Sequence, residues 1–468
     1  LDKDLVRISH IEAAQSHAFR PVRRLGLGAF AIAGLLLLVA AVWKDGAAVL
    51  TAGAGLLVAV WLAAVIGAKD VANSLGAAVG AGAVRMFPGL LMVSIACIAG
   101  AVLASGGVSQ RLTHGIIQFG SATNYPLASA VMLSALIGSA VWVVLATGMG
   151  LTVSTSYAVV GGIVGAGMVA FGVSAMNWAA LSRMSLSWVM APVVAGMIAG
   201  GFLILLRLCL VEVPDRASAA LRWLPIWLAL IVGLFAAYLL ALIDNQISLA
   251  IILAVGAFCA LIGWFCGYHC VRKEIERQPR KPSMKSLLRL PLLVAIMLLA
   301  FSYGANDVGI ITGPLAVIIA GSFGDWPMTW GQTSALVIAG LAVSAGALIF
   351  GPRLLPMISS GIARLNVARS FCIALATAGT VLMTSALGLP VSTSHITIGA
   401  FFGVGFARGL LDRRHAARAL ALPVEETNRR TLVRYSHAVK MTAAWMVTAP
   451  AAGILSALTC LLVLWVRQ

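Results

Sequence analysis

Stretches that water cannot solvate recur from one end of this sequence to the other, and they limit what it can fold into. Leu25 to Trp43, Leu127 to Ala146, Leu224 to Ile243 and Leu249 to Trp264 each run without a charged residue. A helix needs about 20 apolar residues to cross the hydrocarbon core of a bilayer, and these runs reach or approach that length. Lipid offers backbone N–H and C=O groups no partner, so only helices and closed barrels span it. Runs that lack the alternation of a barrel strand are helical. Composition agrees, with 61% hydrophobic and only 10% charged residues, where a soluble domain carries roughly 45–50% and about 25%. The chain reads as an all-α polytopic membrane protein of about 12–14 membrane segments embedded in a lipid bilayer.

A net charge of +17 raises nucleic acid as a partner, but the basic residues are not interleaved with aromatics as such an interface requires. They gather between Lys3 and Arg24, Arg272 and Arg289, and Arg408 and Lys440, which the positive-inside rule assigns to the cytoplasm. No nucleic-acid partner is expected. Residues 1–24 form a polar tail on the cytoplasmic surface rather than a cleavable signal, and residues 25–43 form an extra N-terminal helix that stays in the membrane. The seven cysteines, mostly in apolar runs and without metal-ligand spacing, read as free buried thiols. No nucleophile with an oriented base and no His/Glu metal motif stands within the apolar runs, so an enzyme is disfavoured and no cofactor is implied.

Comparing the chain with itself reveals a duplication. Gly67-Ala68-Lys69-Asp70-Val71 returns as Gly304-Ala305-Asn306-Asp307-Val308, and Val153-Ser154-Thr155-Ser156 returns as Val391-Ser392-Thr393-Ser394. Between them Gly100-Ala101 matches Gly346-Ala347; after them Gly161 and Gly165 match Gly399 and Gly403. Trp188, Pro192 and Gly196 loosely match Trp445, Pro450 and Gly453. The copies occupy residues 46–207 and 289–466, with a linking helical pair and a basic cytoplasmic loop over 208–288. Copy 2 begins just after a basic segment, whereas copy 1 begins near Lys44-Asp45, one span after the basic tail, so the two are expected to be inverted in the membrane. Inverted repeats with broken or re-entrant helices and a midplane site are a plan of secondary transporters.

Asp70 and Asp307 are the acidic residues inside apolar context at matching positions. A charge there costs about 2.5–3.5 kcal/mol on insertion scales, so either a substrate or ion pathway holds them or a buried base or helix-end position does; duplication favours the pathway. Each Ser/Thr cluster precedes an apolar, glycine-rich helix, and the second follows Pro390. Hydroxyls at a helix start cap it, and the free amides beyond attract anions; a single cluster would as readily serve packing. An anion held there would be repelled by two carboxylates unless a cation neutralised each. Anion and cation would then cross together.

At these residues the chain resembles the inorganic phosphate transporter (PiT) family. The resemblance rests on GAKDVANS at Gly67 to Ser74, SYGANDVG at Ser302 to Gly309, TVSTS at Thr152 to Ser156 and PVSTSH at Pro390 to His395, and it extends through Gly453. It implies symport of inorganic phosphate with sodium or protons. Asp70, Asn73, Asn306 and Asp307 would bind the coupling cation, with sodium at Asp70 and Asp307. Ser154, Thr155, Ser156, Ser392, Thr393, Ser394 and Lys69 would hold the anion. The chain departs from the family pattern at Lys69, where the family has Asn, and at Ile310, where it has a second Asn. Lys69 acts either as a tethered cation, paired with the anion or with Asp307, or as a lysine that snorkels to the interface. These departures bear on sodium stoichiometry and leave room for sulfate, which some relatives carry.

The expectation is therefore a phosphate:cation symporter of a bacterial inner membrane, working by alternating access, with its N-terminus in the cytoplasm. A sulfate permease is the alternative within the class and an anion channel the alternative outside it; a homodimer is open to it. His395 is read as an anion or proton contact or as a helix cap, and Arg111 as a residue of the membrane surface.

Overall fold

The computed structural model describes residues 20–43, 47–80, 82–118, 125–149, 151, 153–244, 246–278, 282–323, 328–362, 366–416 and 435–467. Lys3, the Lys44-Asp45 step, Thr152, residues 417–434 and the side chain of Lys440, which the sequence reading drew on, lie outside the described set. The helices are α1 (Arg20–Val42), α2 (Ala47–Gly80), α3 (Met86–Ala104), α4 (Gly106–His114), α5 (Tyr125–Gly148), α6 (Thr155–Phe171), α7 (Trp178–Leu206), α8 (Arg216–Ile243) and α9 (Leu249–Arg277). They continue as α10 (Arg289–Tyr303), α11 (Gly309–Phe323), α12 (Met328–Ile362), α13 (Val367–Ala386), α14 (Thr393–Ala416) and α15 (Tyr435–Arg467). A single turn of π-helix, Gly304–Val308, joins α10 to α11 without a break.

Among the described residues, 12 helices are long and apolar enough to cross a membrane, at the lower end of the expected range. The protein is an integral membrane protein, and its outward helix faces carry large apolar side chains such as Phe258, Leu261 and Phe265 on α9. The apolar runs become α1, α5, α8 and α9. Asp244 ends α8 and turns the chain, its carboxylate accepting from the Gln246 amide at 2.8 Å. The seven cysteines are free, but burial holds only for Cys97, Cys372 and Cys460; Cys266 and Cys270 are exposed. The reason is that α9 packs chiefly on α8 and leaves its other face to lipid.

Lipid is as apolar as leucine, so helices in it associate through close packing at small residues rather than through a hydrophobic drive. Here those approaches come in matched pairs. A Cβ at Gly67 would overlap the Val343 carbonyl, and one at Gly304 the Cys97 carbonyl; Gly346 is closed off by Ala64 and Gly100 by Phe301. Val343 stands three residues before Gly346 as Cys97 stands before Gly100, so exchanging the two halves reproduces each contact. The same holds between α6 and α15, where Gly161 and Gly165 meet Ala449 and Gly453, and between α14 and α7, where Gly399 and Gly403 meet Pro192 and Gly196. This pairing places Pro192 opposite Ala449 in the correspondence, one residue from the Pro450 of the loose sequence match, because backbone approach rather than residue identity sets the register. The starts of α6 and α14 are both buried in the interior, that of α14 beside α2 and the π turn.

Adding side-chain volume at these points forces backbones apart, at about 1–3 kcal/mol. Gly403→Val and Gly161→Val are expected to lower the thermal midpoint of detergent-solubilised protein. Gly201→Ala, where a Cβ meets nothing within 4 Å, is expected to leave it unchanged.

Candidate functional site

Both Ser/Thr clusters occupy gaps between a helix that stops and a helix that starts. In the second half α13 ends at Ala386, Gly388 takes a positive φ of 65°, and Pro390 cannot donate to a helical ladder. Ser392 then accepts from the His395 amide at 3.4 Å, and α14 begins at Thr393. In the first half α5 ends at Gly148, and Ser154 caps α6 by accepting from the Tyr157 amide at 3.3 Å. Two helix starts, with their free amides and the positive ends of their dipoles, are thereby presented inside the bundle.

The π turn decides how the acidic motif of the second half is displayed. On an α-helix Asn306 and Asp307 would point about 100° apart. In the wider turn the Asn306 amide nitrogen reaches Asp307 Oδ1 at 2.6 Å and the Val391 carbonyl at 2.8 Å. Asn306 Oδ1 in turn accepts from the Val391 amide at 3.2 Å, so one side chain clamps both backbone groups of the residue ahead of the hydroxyl cluster. The Thr393 hydroxyl donates to Asp307 Oδ2 at 3.0 Å. Across the halves, Asn73 Nδ2 donates to Ser394 Oγ at 3.4 Å.

The Asp70 and Asp307 carboxyls lie close enough to each other to interact directly. Asp70 is 6% and Asp307 4% exposed, so the pair that sequence reading placed together is together and shielded from bulk solvent. Ser154, Thr155, Ser156, Ser392 and Thr393 are buried and Ser394 is half-buried. The second cluster is bonded to the acidic motifs; among the described residues the first is not. Lys69 is half-buried. It forms no ion pair within 4.0 Å among the described residues.

Sequence reading missed an aromatic column at the same depth. Trp188 stacks on Tyr157 at 4.1 Å, the Tyr157 edge meets His395 at 4.8 Å, and His395 stacks on Trp445 at 3.7 Å. Trp188 Nε1 donates to the Pro390 carbonyl at 2.8 Å, tying the column to the second gap. The signal was present, since Tyr157 and His395 each follow a Ser/Thr cluster directly. Arg111 lines a cavity of about 530 Å³ with Arg183, Ser187, Thr384 and Leu389, and the turn at Gly388 packs against α4. Two cations on different helices thus face the approach to the second gap.

Comparison with known proteins follows this geometry. The sequence profile described as the phosphate transporter family matches residues 66–456. A Helicobacter pylori protein named "Putative phosphate permease" is 37% identical over 371 residues, covering 76% of this chain and 69% of its own. A Pyrococcus abyssi protein of the same description is 29% identical, covering 88% of this chain and 97% of its own. A solved structure titled "The sodium-dependent phosphate transporter" superposes with a TM-score of 0.76 at 29% identity, over 88% of this chain and 98% of that one.

Leaving a buried backbone group unpaired costs about 1–3 kcal/mol. Asn306→Leu, which strips partners from both Val391 groups, is therefore expected to speed amide hydrogen exchange across residues 391–395. Asn73→Leu, which removes one long bond, is expected to change it little.

Proposed function

Because the chain belongs to the phosphate transporter family, we propose that it is a secondary active transporter carrying inorganic phosphate together with sodium or protons. The observation that carries this reading is the meeting of two buried carboxyls with the hydroxyl-bearing helix start at Ser392–Ser394, its counterpart at Ser154–Ser156 being buried as well. Amides and hydroxyls at Ser154–Ser156 and Ser392–Ser394 hold the anion. Asp70 and Asp307, aided by Asn73 and Asn306, hold the cations. The donors fit a hard cation, all being oxygens, and Asp70 Oδ2 is buried with no hydrogen-bond partner.

The coupling follows from electrostatics. An anion entering beside two carboxylates is repelled unless each is neutralised, so cations bound at the carboxylates favour the anion and the anion in turn favours them. Occupancy by both is then the state in which the halves can rearrange about the site. We read residues 46–207 and 289–466 as inverted repeats joined by 208–288, a reading supported by the charge asymmetry of the loops and by helix contacts that survive exchange of the halves. The N-terminus would lie in the cytoplasm of a bacterial inner membrane. Arg111 and Arg183 give an anion a favourable approach.

Purified protein in liposomes is expected to take up phosphate saturably and against its gradient when sodium or protons are driven inward. Asp307→Asn removes a charge and one of the two oxygens that accept from Asn306 and Thr393, and is expected to lower that uptake about tenfold or more. Flux that never saturates and never runs uphill would indicate a channel, and stronger uptake of sulfate than of phosphate would reassign the anion.

A further inference from the structure

The cavity that Arg111 and Arg183 share is charged at one end and apolar along its length. On α7 it is lined by Ala180, Arg183, Ser187, Ala191 and Val194, positions three or four apart that make one helix face over about 21 Å. Opposite stand Met383, Thr384 and Leu387 at the end of α13. The two helices run antiparallel, since Phe202 meets Phe371 with ring centroids 6.1 Å apart, while Trp188 Nε1 reaches the Pro390 carbonyl. Arg183, five residues nearer the start of α7 than Trp188, therefore lies beyond the end of α13, where the turn at Gly388 packs on α4 and Arg111. Leu186 and Met190 on one wall and Met383 and Leu387 on the other are exposed. In a membrane span that exposure faces acyl chains, so the groove opens sideways to lipid.

The charged end also lies toward the membrane surface. α7 starts at Trp178, an exposed indole of the kind that collects at headgroup level, and Arg183 stands about 7.5 Å further along the helix. Among the described residues neither arginine has an ion-pair partner within 4.0 Å, and no acidic side chain lines the cavity. Arg183 uses Nε on the Ala179 carbonyl at 3.3 Å, which leaves its two terminal nitrogens for an outside acceptor. Two guanidiniums near headgroup level, with an apolar groove leading inward from them, have the polarity of a phospholipid. We propose that this cavity binds one anionic glycerophospholipid, its phosphate held by Arg111 and Arg183 and an acyl chain laid between α7 and α13. A choline headgroup would bring a third positive charge to the arginines, so the site selects lipids with net negative charge. A free phosphate ion would suit the arginines but carry its water against the apolar walls. One lipid charge leaves one of the two positive charges uncompensated, so the mouth still favours an incoming anion.

The test counts lipids. Purified full-length chain in mild detergent is titrated with phosphatidylglycerol and with phosphatidylcholine of the same acyl chains, and bound lipid is counted by native mass spectrometry. Wild type is expected to hold one phosphatidylglycerol in preference to phosphatidylcholine and to keep it in excess inorganic phosphate. The double variant Arg111→Gln/Arg183→Gln is expected to bind that lipid about tenfold more weakly or less. Lys273→Gln, which removes an exposed charge from α9, is expected to bind it as wild type does. Should the double variant fold poorly, the preference of the wild-type chain between the two lipids still decides. Equal binding of both lipids by wild type would overturn the proposal, as would a folded double variant that keeps phosphatidylglycerol undiminished. Displacement of the lipid by inorganic phosphate would overturn it too, and would make the cavity a station for the free ion.

Discussion

Two carboxyls in contact inside an apolar bundle are the constraint around which this structure is arranged. Neither can remain charged there alone, since burying an isolated carboxylate costs far more than any single packing gain returns. The surroundings meet that demand with donors at Asp307, a threonine hydroxyl at the start of α14 and an asparagine amide. Asp70 Oδ2 is buried without a hydrogen-bond partner, and this uneven balance is what the proposed cation sites are built on.

Bringing the carboxyls together depends on backbone proximity that side chains would prevent. Glycines at 67, 100, 304 and 346 let α2, α3, α10 and α12 approach to carbonyl contact, and those helices carry or flank both acidic motifs. Glycines at 161, 165, 399 and 403 do the same for α6, α7, α14 and α15, which carry the hydroxyl clusters and the rings of the aromatic column. Because each contact is answered by its exchanged counterpart, two surfaces of one ancestral unit have been retained as a self-complementary pair. Such a packing can hold two arrangements of similar energy, which a transporter needs.

Within that shared frame the halves have diverged at the chemistry. The π turn at Gly304–Val308 turns Asn306 and Asp307 to the same side and lets the asparagine clamp the Val391 step, whereas α2 runs helically through Lys69 and Asp70. Lysine in place of asparagine changes both charge and geometry: it adds a cation and deletes an acceptor. Arg111 and Arg183 add a further asymmetry, facing the approach to the second gap.

Sequence by itself determined the class of solvent, the helical fold, the duplication, and the motifs that meet. Apolar runs, sparse charge and repeated words are local or periodic signals, legible without knowing what touches what. The carboxyl pair could be anticipated because matching positions in self-complementary halves converge. Tertiary structure alone decided that Asn306 clamps Val391, that Arg111 and Arg183 share a cavity, and that Trp188, Tyr157, His395 and Trp445 form one column. Those outcomes turn on a single wide helical turn and on the register of glycine contacts between distant segments, and three-dimensional proximity of that kind leaves no periodic trace along a chain.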